Sequence, residues 1–138
     1  TGHLVFGTLH TNTASGAITR LVDAFPPNKQ DIIRMNLSMS LLAVVAQQLI
    51  PNKIGERSLA TEILISNPAI RALIRENNIH QMENYIKSGR EEGMILMDDS
   101  LLNLVRSGQI ASDDALRYSV DQKGMKSQLD IISRQPNL

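Results

Sequence analysis

Two histidines and a threonine near the start of the chain are the side chains best suited to chemistry. His3 and His10 bracket the apolar run Leu4–Leu9 in TGHLVFGTLHTNTASG, and Thr11 follows directly. The run predicts a strand over residues 4–9 that is apolar on both faces, as in a parallel sheet covered by helices. His10 and Thr11 would then lie where a strand becomes a helix. Such a junction offers backbone N–H groups and a positive helix terminus to a phosphate.

The spacing of the two histidines limits what they can do together. His3 and His10 are seven positions apart, so their rings would point to opposite faces of a regular strand and would be poor joint ligands of one metal ion. A neutral imidazole at His10 could instead donate to a phosphate oxygen or accept a hydrogen bond from water. The alternative is an ordinary strand-end histidine followed by Thr11 and Asn12 as helix-capping residues. Residue types alone favour this structural alternative.

Other catalytic patterns are weak or absent in the sequence. GHLVFGT copies the glycine spacing of a phosphate-binding loop, but Thr8-Leu9 stands where Lys-Ser/Thr is needed, and no other segment fits the pattern. No dinucleotide fingerprint, zinc-binding helix or serine nucleophile elbow is found. Two close carboxylate pairs, Glu91-Glu92 and Asp98-Asp99, flank predicted helix boundaries. Helix caps and solvated charges explain them better than an acid/base pair does.

Composition indicates a globular chain and excludes several classes of site and partner. Hydrophobic residues make up 42% of the 138 residues, and Lys plus Arg equal Asp plus Glu at 14 each. The zero net charge gives no electrostatic reason to propose nucleic acid or an anionic membrane as a partner. The absence of cysteine excludes disulfides and thiolate metal sites and fits a reducing compartment. The longest apolar run, Leu41–Ala46, is far too short to span a bilayer.

Apolar spacing predicts two helices in the first third of the chain. The first is expected to start at an N-cap on Asn12 or Thr13 and to end at Pro26-Pro27. The second is expected to start near Asn28 and to run to roughly Leu49, with a second half that is apolar nearly all round.

The later part of the chain is predicted to be mainly helical. SLATEILI, residues 58–65, is expected to be a strand and the second arm of a hairpin whose first arm lies near Gln48–Ile50. Asn67-Pro68 is a helix start, with Asn as the cap and Pro at the first position. Further helices are expected at about 80–88, 98–107 and 112–120, and the polar tail beyond Gly124 is expected to fray. A single parallel strand cannot form a sheet, so the remaining strands are expected to lie upstream of this sequence.

One predicted helix carries a basic stripe. In PAIRALIREN, Arg71 and Arg75 are spaced i, i+4, and Glu76 follows. From spacing alone, a solvated face is the better interpretation. The functional alternative is a polar stripe that contacts a neighbouring subunit or another moving part.

Four segments resemble one known family. TGHLVFGTLHTNTA resembles the His box of the type II/type IV secretion ATPase superfamily, and PAIRALIREN resembles the AIRNLIRE motif of its type IV pilus retraction branch. RLVDAFPPNKQDIIRMNLSMSLLAVVAQQLIP and GMILMDDSLLNLVRSGQI are also similar to that branch. The resemblance runs in order from Thr1 to about Val120. It departs from the family motif at Ala72, where the family carries Asn.

The resemblance implies an α/β fold: the C-terminal portion of a RecA-like P-loop ATPase domain, with few strands followed by a mostly helical region. Residues 1–66 would be the last part of the ATPase core, and residues 67–138 a helical subdomain with the motif and a frayed tail. In the family, the Walker A loop, Asp box and Walker B segment precede the His box, and this sequence contains none of them. The chain alone is therefore expected not to hydrolyse ATP.

The resemblance also implies a function: part of a cytoplasmic, homo-hexameric motor that uses ATP and Mg²⁺ to retract type IV pili in twitching motility. It would work at the inner-membrane face, on the pilus platform protein, without nucleic acid or direct membrane insertion. His3 and His10 would be catalytic, His10 and Thr11 would contact the nucleotide, and no metal ligand is assigned. The residues implied in retraction or subunit contact are Ala69, Ile70, Arg71, Leu73, Ile74, Arg75 and Glu76. The alternatives are a pilus assembly or type II secretion ATPase of the same superfamily, and a non-enzymatic helical interaction module.

Overall fold

An antiparallel hairpin connects the two hydrophobic cores of the fold. The computed structural model describes residues 2–134, in which β1 spans Ala43–Pro51 and β2 spans Arg57–Ile65. Their register places Ala43 opposite Ile65 and Pro51 opposite Arg57. Gly55 in the connecting turn has a φ of 85°, which glycine adopts without strain. The predicted strand over 58–65 is confirmed.

Seven α-helices surround the hairpin within residues 2–134. They are α1 (Ala14–Asp23), α2 (Gln30–Ser40), α3 (Pro68–Arg75), α4 (Met82–Ser88), α5 (Met97–Arg106), α6 (Ser112–Tyr118) and α7 (Gln122–Arg134). Short 3₁₀ turns lie at Pro27–Lys29, Ile79–Gln81 and Arg90–Glu92. The prediction of an α/β fold with few strands and many helices is confirmed.

Two helix starts follow directly from local sequence. The hydroxyl oxygen of Thr13 accepts a hydrogen bond from the N–H of Gly16 at 3.1 Å, and the side-chain oxygen of Asn67 accepts one from Ile70 at 2.9 Å. Pro68 takes the first helical position, where its missing N–H costs nothing. Both predicted caps are confirmed because each depends only on residues within one turn.

The predicted strand over residues 4–9 is wrong. Residues 2–11 have no regular secondary structure, and Leu4, Val5 and Phe6 are 69%, 81% and 89% exposed. A strand requires a hydrogen-bonded neighbour, and the sheet within residues 2–134 contains β1 and β2 alone. The apolar pattern therefore has no partner among the described residues.

The second predicted helix is wrong beyond Ser40. The hydroxyl of Ser40 donates to the carbonyl of Asn36, and the chain then becomes extended and enters β1. Pairing with β2 decides this conformation, because strand preference depends on cross-strand packing more than on the single residue. Alternation along β1 then buries Ala46 and Ile50 and leaves Val45 and Leu49 exposed. The first arm of the hairpin is thus longer than Gln48–Ile50.

The predicted fraying beyond Gly124 is wrong up to Arg134. The carboxylate of Asp121 accepts a hydrogen bond from the Gly124 N–H, and α7 follows. Met125 and Leu129 are buried one turn apart and anchor the helix. The many polar residues of α7 hide this apolar pair from a composition-based prediction.

The buried residues form two cores, and the hairpin contributes to both. The α1–α4 core consists of Ala14, Ile18, Leu64, Ile70, Leu73, Ile74, Met82, Ile86 and Met94. The α5–α7 core consists of Ala46, Ile50, Ala60, Met97, Leu101, Leu102, Ile110, Ala115, Met125 and Leu129. The division of the chain into residues 1–66 and 67–138 stays a prediction.

A buried carboxyl group on β2 connects the starts of two helices. Glu62 is 4% exposed; its Oε1 accepts a hydrogen bond from the Ala14 N–H at 2.7 Å, and its Oε2 accepts one from the Met97 N–H at 3.1 Å. Burial raises the pKa of Glu62 above its ordinary value of 4.5, and the negative charges of Asp98 and Glu83 act in the same direction. The two backbone hydrogen bonds oppose this rise without cancelling it.

The raised pKa of Glu62 predicts a pH-dependent stability. The folded chain binds the Glu62 proton more tightly than the unfolded chain, so this contribution is fully present below the unfolded pKa of about 4.5 and is lost as pH rises through the folded pKa. We expect the unfolding free energy of the native chain, relative to Glu62→Gln, to increase as pH falls from 7 to 5. Chemical unfolding followed by circular dichroism measures it. Glu91→Gln, at an exposed position, should track the native chain. A Glu62→Gln difference that stays constant or shrinks on acidification would contradict the assignment.

The packing of α7 predicts a contrast between two positions on one helix. Met125→Ala should lower the unfolding free energy by about 2 to 4 kcal/mol, because it leaves a cavity in the α5–α7 core. Ile131→Ala, at a position 52% exposed, should change it by no more than about 0.5 kcal/mol. Urea unfolding measures both. Equal, small effects at the two positions would mean that α7 is not docked.

Candidate functional site

The junction before α1 folds back onto that helix. The Arg20 guanidinium donates a hydrogen bond to the His10 carbonyl at 3.3 Å, which links the irregular segment of residues 2–11 to α1. Thr13 then caps the helix through Gly16. A Cβ at Gly16 would lie 2.9 Å from the Thr13 hydroxyl oxygen, so a larger residue would disturb the cap. The turn between His10 and α1 is thus fixed by its own local contacts.

An open cavity of about 680 Å³ lies beside this junction, between α1 and the segment Ile79–Glu83. Thr11, Thr13 and Ser15 present hydroxyl groups to it, and Arg20 contributes a cationic side chain. Hydroxyls, a guanidinium and the positive end of α1 together suit a polar or anionic group. Asp23, His80 and Glu83 also line the cavity, and the two carboxylates oppose an anion close to them.

The structure brings together some of the predicted site residues. Thr11 lines the cavity, and His10 is joined to its wall by the Arg20 contact. His3 is exposed in the irregular segment of residues 2–11 and does not line the cavity. Neither imidazole makes a hydrogen bond within residues 2–134. The assignment of His3 and His10 as catalytic, and of His10 and Thr11 as nucleotide contacts, stays a prediction.

The helix expected to act in retraction has two different faces. Ile70, Leu73 and Ile74 are buried in the α1–α4 core, so these three positions have a packing role. Arg71 is half-buried and lies 3.4 Å from the Ser66 hydroxyl. The remaining motif residues at the surface are the half-buried Ala69 and the exposed Arg75 and Glu76. A contact with another protein would therefore be made by these surface residues and not by the three buried apolar ones.

The carboxylates at the start of α5 are structural. Asp98 accepts hydrogen bonds from the N–H groups of Val120 and Asp121 at 2.7 and 2.9 Å, and Asp99 pairs with Arg90 at 2.7 Å. These contacts support the interpretation of Asp98-Asp99 as caps and surface charges. Glu62 was missed by the sequence analysis, because a single Glu within an apolar strand pattern gives no periodic signal. The one clue in the sequence is that Glu62 lies inside SLATEILI, a predicted strand rich in apolar residues.

No group of three or more His, Asp or Glu side chains among residues 2–134 is arranged to hold a metal ion. No helix in that part of the chain combines the length and the apolar character needed to cross a bilayer.

Known proteins similar to this chain include pilus ATPases. A twitching motility protein of Neisseria gonorrhoeae is 47% identical over 126 residues, which cover 91% of this chain and 34% of that protein. The type IV pilus retraction ATPase PilT of Pseudomonas aeruginosa is 47% identical over 115 residues, 83% of this chain and 33% of PilT. The chain thus spans about a third of the length of these relatives.

A solved structure supports the same relationship. The crystal structure of the pilus retraction motor PilT with bound ADP matches with a TM-score of 0.82 and 44% identity, over 92% of this chain and 35% of that one. The family model for type II/IV secretion system proteins matches residues 1–109. Because the match covers both strands and most of the helices, the chain belongs to the type II/IV secretion system protein family.

Proposed function

We propose that this chain is part of an ATP-hydrolysing motor that powers type IV pilus retraction and twitching motility. The observation that carries the proposal is the 47% identity, over 91% of the chain, to a twitching motility protein. The match to PilT, a named retraction ATPase, supports the same activity. The chain has no phosphate-binding loop of its own, so the main nucleotide contacts would come from other segments of the complete protein.

The nucleotide would lie near the junction before α1. ADP is bound in the similar PilT structure, which supports ATP as the ligand. In this chain, Thr11 could donate its hydroxyl to a phosphate oxygen, and the exposed His10 ring could align a water or respond to the γ-phosphate. Mg²⁺ would neutralise phosphate charge, and the residues described here offer no cluster that would bind it without the nucleotide.

The proposed partners are those that the family resemblance implies. We propose a homo-hexamer that works at the cytoplasmic face of the inner membrane on the pilus platform protein. One face of the hairpin carries Val45, Leu49 and Leu59, which are about half exposed and suited to packing against other parts of the assembly. Arg75 and Glu76 on α3 are exposed polar groups suited to a moving contact.

The ATPase proposal predicts different activities for the chain and for the complete protein. The complete protein should hydrolyse ATP, whereas the 138-residue chain alone should not. His10→Ala in the complete protein should lower kcat about 10- to 100-fold while ADP affinity is retained, because the ring would act on the γ-phosphate. Phosphate release measures the rate.

A matched control for His10→Ala is Asn28→Ala, on the exposed turn after α1, which should leave kcat unchanged. A complete protein without ATPase activity would remove the motor proposal and favour the non-enzymatic interaction module. An unchanged kcat in His10→Ala would remove the catalytic assignment of that histidine.

A second candidate is a pilus assembly or type II secretion ATPase, because the matching family includes both secretion systems. The retraction proposal predicts that Arg71→Ala combined with Arg75→Ala abolishes retraction in cells while ATPase activity persists. Arg57→Ala, at an exposed position at the start of β2, is the control. Normal retraction together with lost assembly or secretion would favour the second candidate.

A further inference from the structure

Glu62 makes a contact that its neighbours on β2 do not make. Each of its two carboxylate oxygens accepts a backbone N–H from a different helix, Ala14 at the start of α1 and Met97 at the start of α5. These two amides are 83 residues apart in sequence (97 minus 14). One side chain therefore satisfies a helix start from each core.

The α5 side of this bridge is already held to β2 by other bonds. The Thr61 N–H donates to the Ser100 hydroxyl at 3.0 Å, and Ile63 and Ile95 exchange two backbone hydrogen bonds at 2.9 and 3.1 Å. The start of α1 has no comparable backbone pairing with β2 among residues 2–134. Ala14 and Ile18 pack in the same core as Leu64 of β2, and the Glu62 contact adds a hydrogen bond that ties the first residue of α1 to the β2–α5 unit.

The start of α1 is also the wall of the candidate site. Ala14 directly follows Thr13, which caps the helix and lines the cavity together with Thr11. A shift of the Ala14 amide would therefore move the hydroxyl groups at the cavity and the end of the His10 segment.

The surroundings of Glu62 do not favour its charge. A second cavity of about 90 Å³ beside it is lined by Glu83 from α4, Asp98 from α5 and Asp121 before α7, and no basic side chain among the described residues lines it. A buried carboxylate without a basic partner lowers the stability of the folded chain. An apolar or amide side chain cannot replace the two acceptor oxygens of Glu62. Gln, for example, has one acceptor oxygen, and its NH₂ group would face the second N–H donor.

We propose that Glu62 is a positioning residue for the nucleotide site: its carboxylate sets the start of α1, and hence Thr11 and His10, relative to the β2–α5 unit. This inference rests on the proposed ATPase function. It predicts that the effect of Glu62 on hydrolysis passes through the segment of residues 10–13.

The test is a double-mutant cycle in the complete protein, with Glu62→Gln, His10→Ala and the two combined. Glu62→Gln should lower kcat about 10- to 100-fold with ADP affinity retained, as for a small misplacement of a catalytic segment. The double variant should be no slower than His10→Ala alone, because both changes disable the same segment. Amide exchange of a peptide covering residues 11–17 should become faster in Glu62→Gln. Glu91→Gln, which removes an exposed charge, should change neither readout.

Two results would overturn the proposal: effects of Glu62→Gln and His10→Ala that multiply, or unchanged exchange in residues 11–17. If the unmodified complete protein hydrolyses no ATP, the proposed function fails, and the exchange measurement alone decides the positioning role. Should Glu62→Gln fail to fold, Glu62→Asp replaces it; this variant keeps both acceptor atoms but shortens the reach, so it should show smaller losses in the same direction.

Discussion

The two hydrogen bonds accepted by the Glu62 carboxylate join the starts of two helices that belong to different cores. β2 supplies residues to both cores, and Glu62 is its position where the starts of α1 and α5 meet. Burial disfavours the charged carboxylate, whereas the two helix starts need acceptors. The outcome is a group with a raised pKa that is still fully hydrogen-bonded. Glu62 therefore lowers stability when it is charged, yet both of its oxygens are needed as hydrogen-bond acceptors.

Local chemistry was readable from the sequence, whereas long-range pairing was not. The caps at Thr13 and Asn67 were predicted because each involves donors within one turn. Most of β1 was missed because its apolar run suits a buried helix equally well. The sequence predicted an arm near Gln48–Ile50, whereas the pairing with β2 extends from Pro51–Arg57 to Ala43–Ile65. The α7 helix was missed because two apolar residues, Met125 and Leu129, are enough to dock it. The prediction for residues 4–9 was wrong because their apolar pattern is typical of a strand, whereas no neighbouring strand pairs with them among residues 2–134.

The candidate site was predictable only in part. The segment of His10 and Thr11 was identified from its place at the start of a helix, and the structure puts Thr11 at a polar cavity. His3 was grouped with it by resemblance alone, and the structure leaves that residue in an exposed segment without regular secondary structure. In the α3 motif, burial separates Ile70 and Ile74, which pack, from the exposed Arg75, which can contact a partner. Spacing does not reveal this difference, because a helix presents both faces at once.

The residues that form each core also determine which core can form first while the chain is synthesised. The α1–α4 core needs no buried residue beyond Met94, whereas the α5–α7 core also needs Met125 and Leu129. On a ribosome, which extends a chain from its N-terminus, the first core can therefore close while α7 is still being made. Until α7 emerges, the inward face of the hairpin at Ile50 and Ala60 lacks part of its cover. Docking of α7 thus completes the cover of this face of the hairpin.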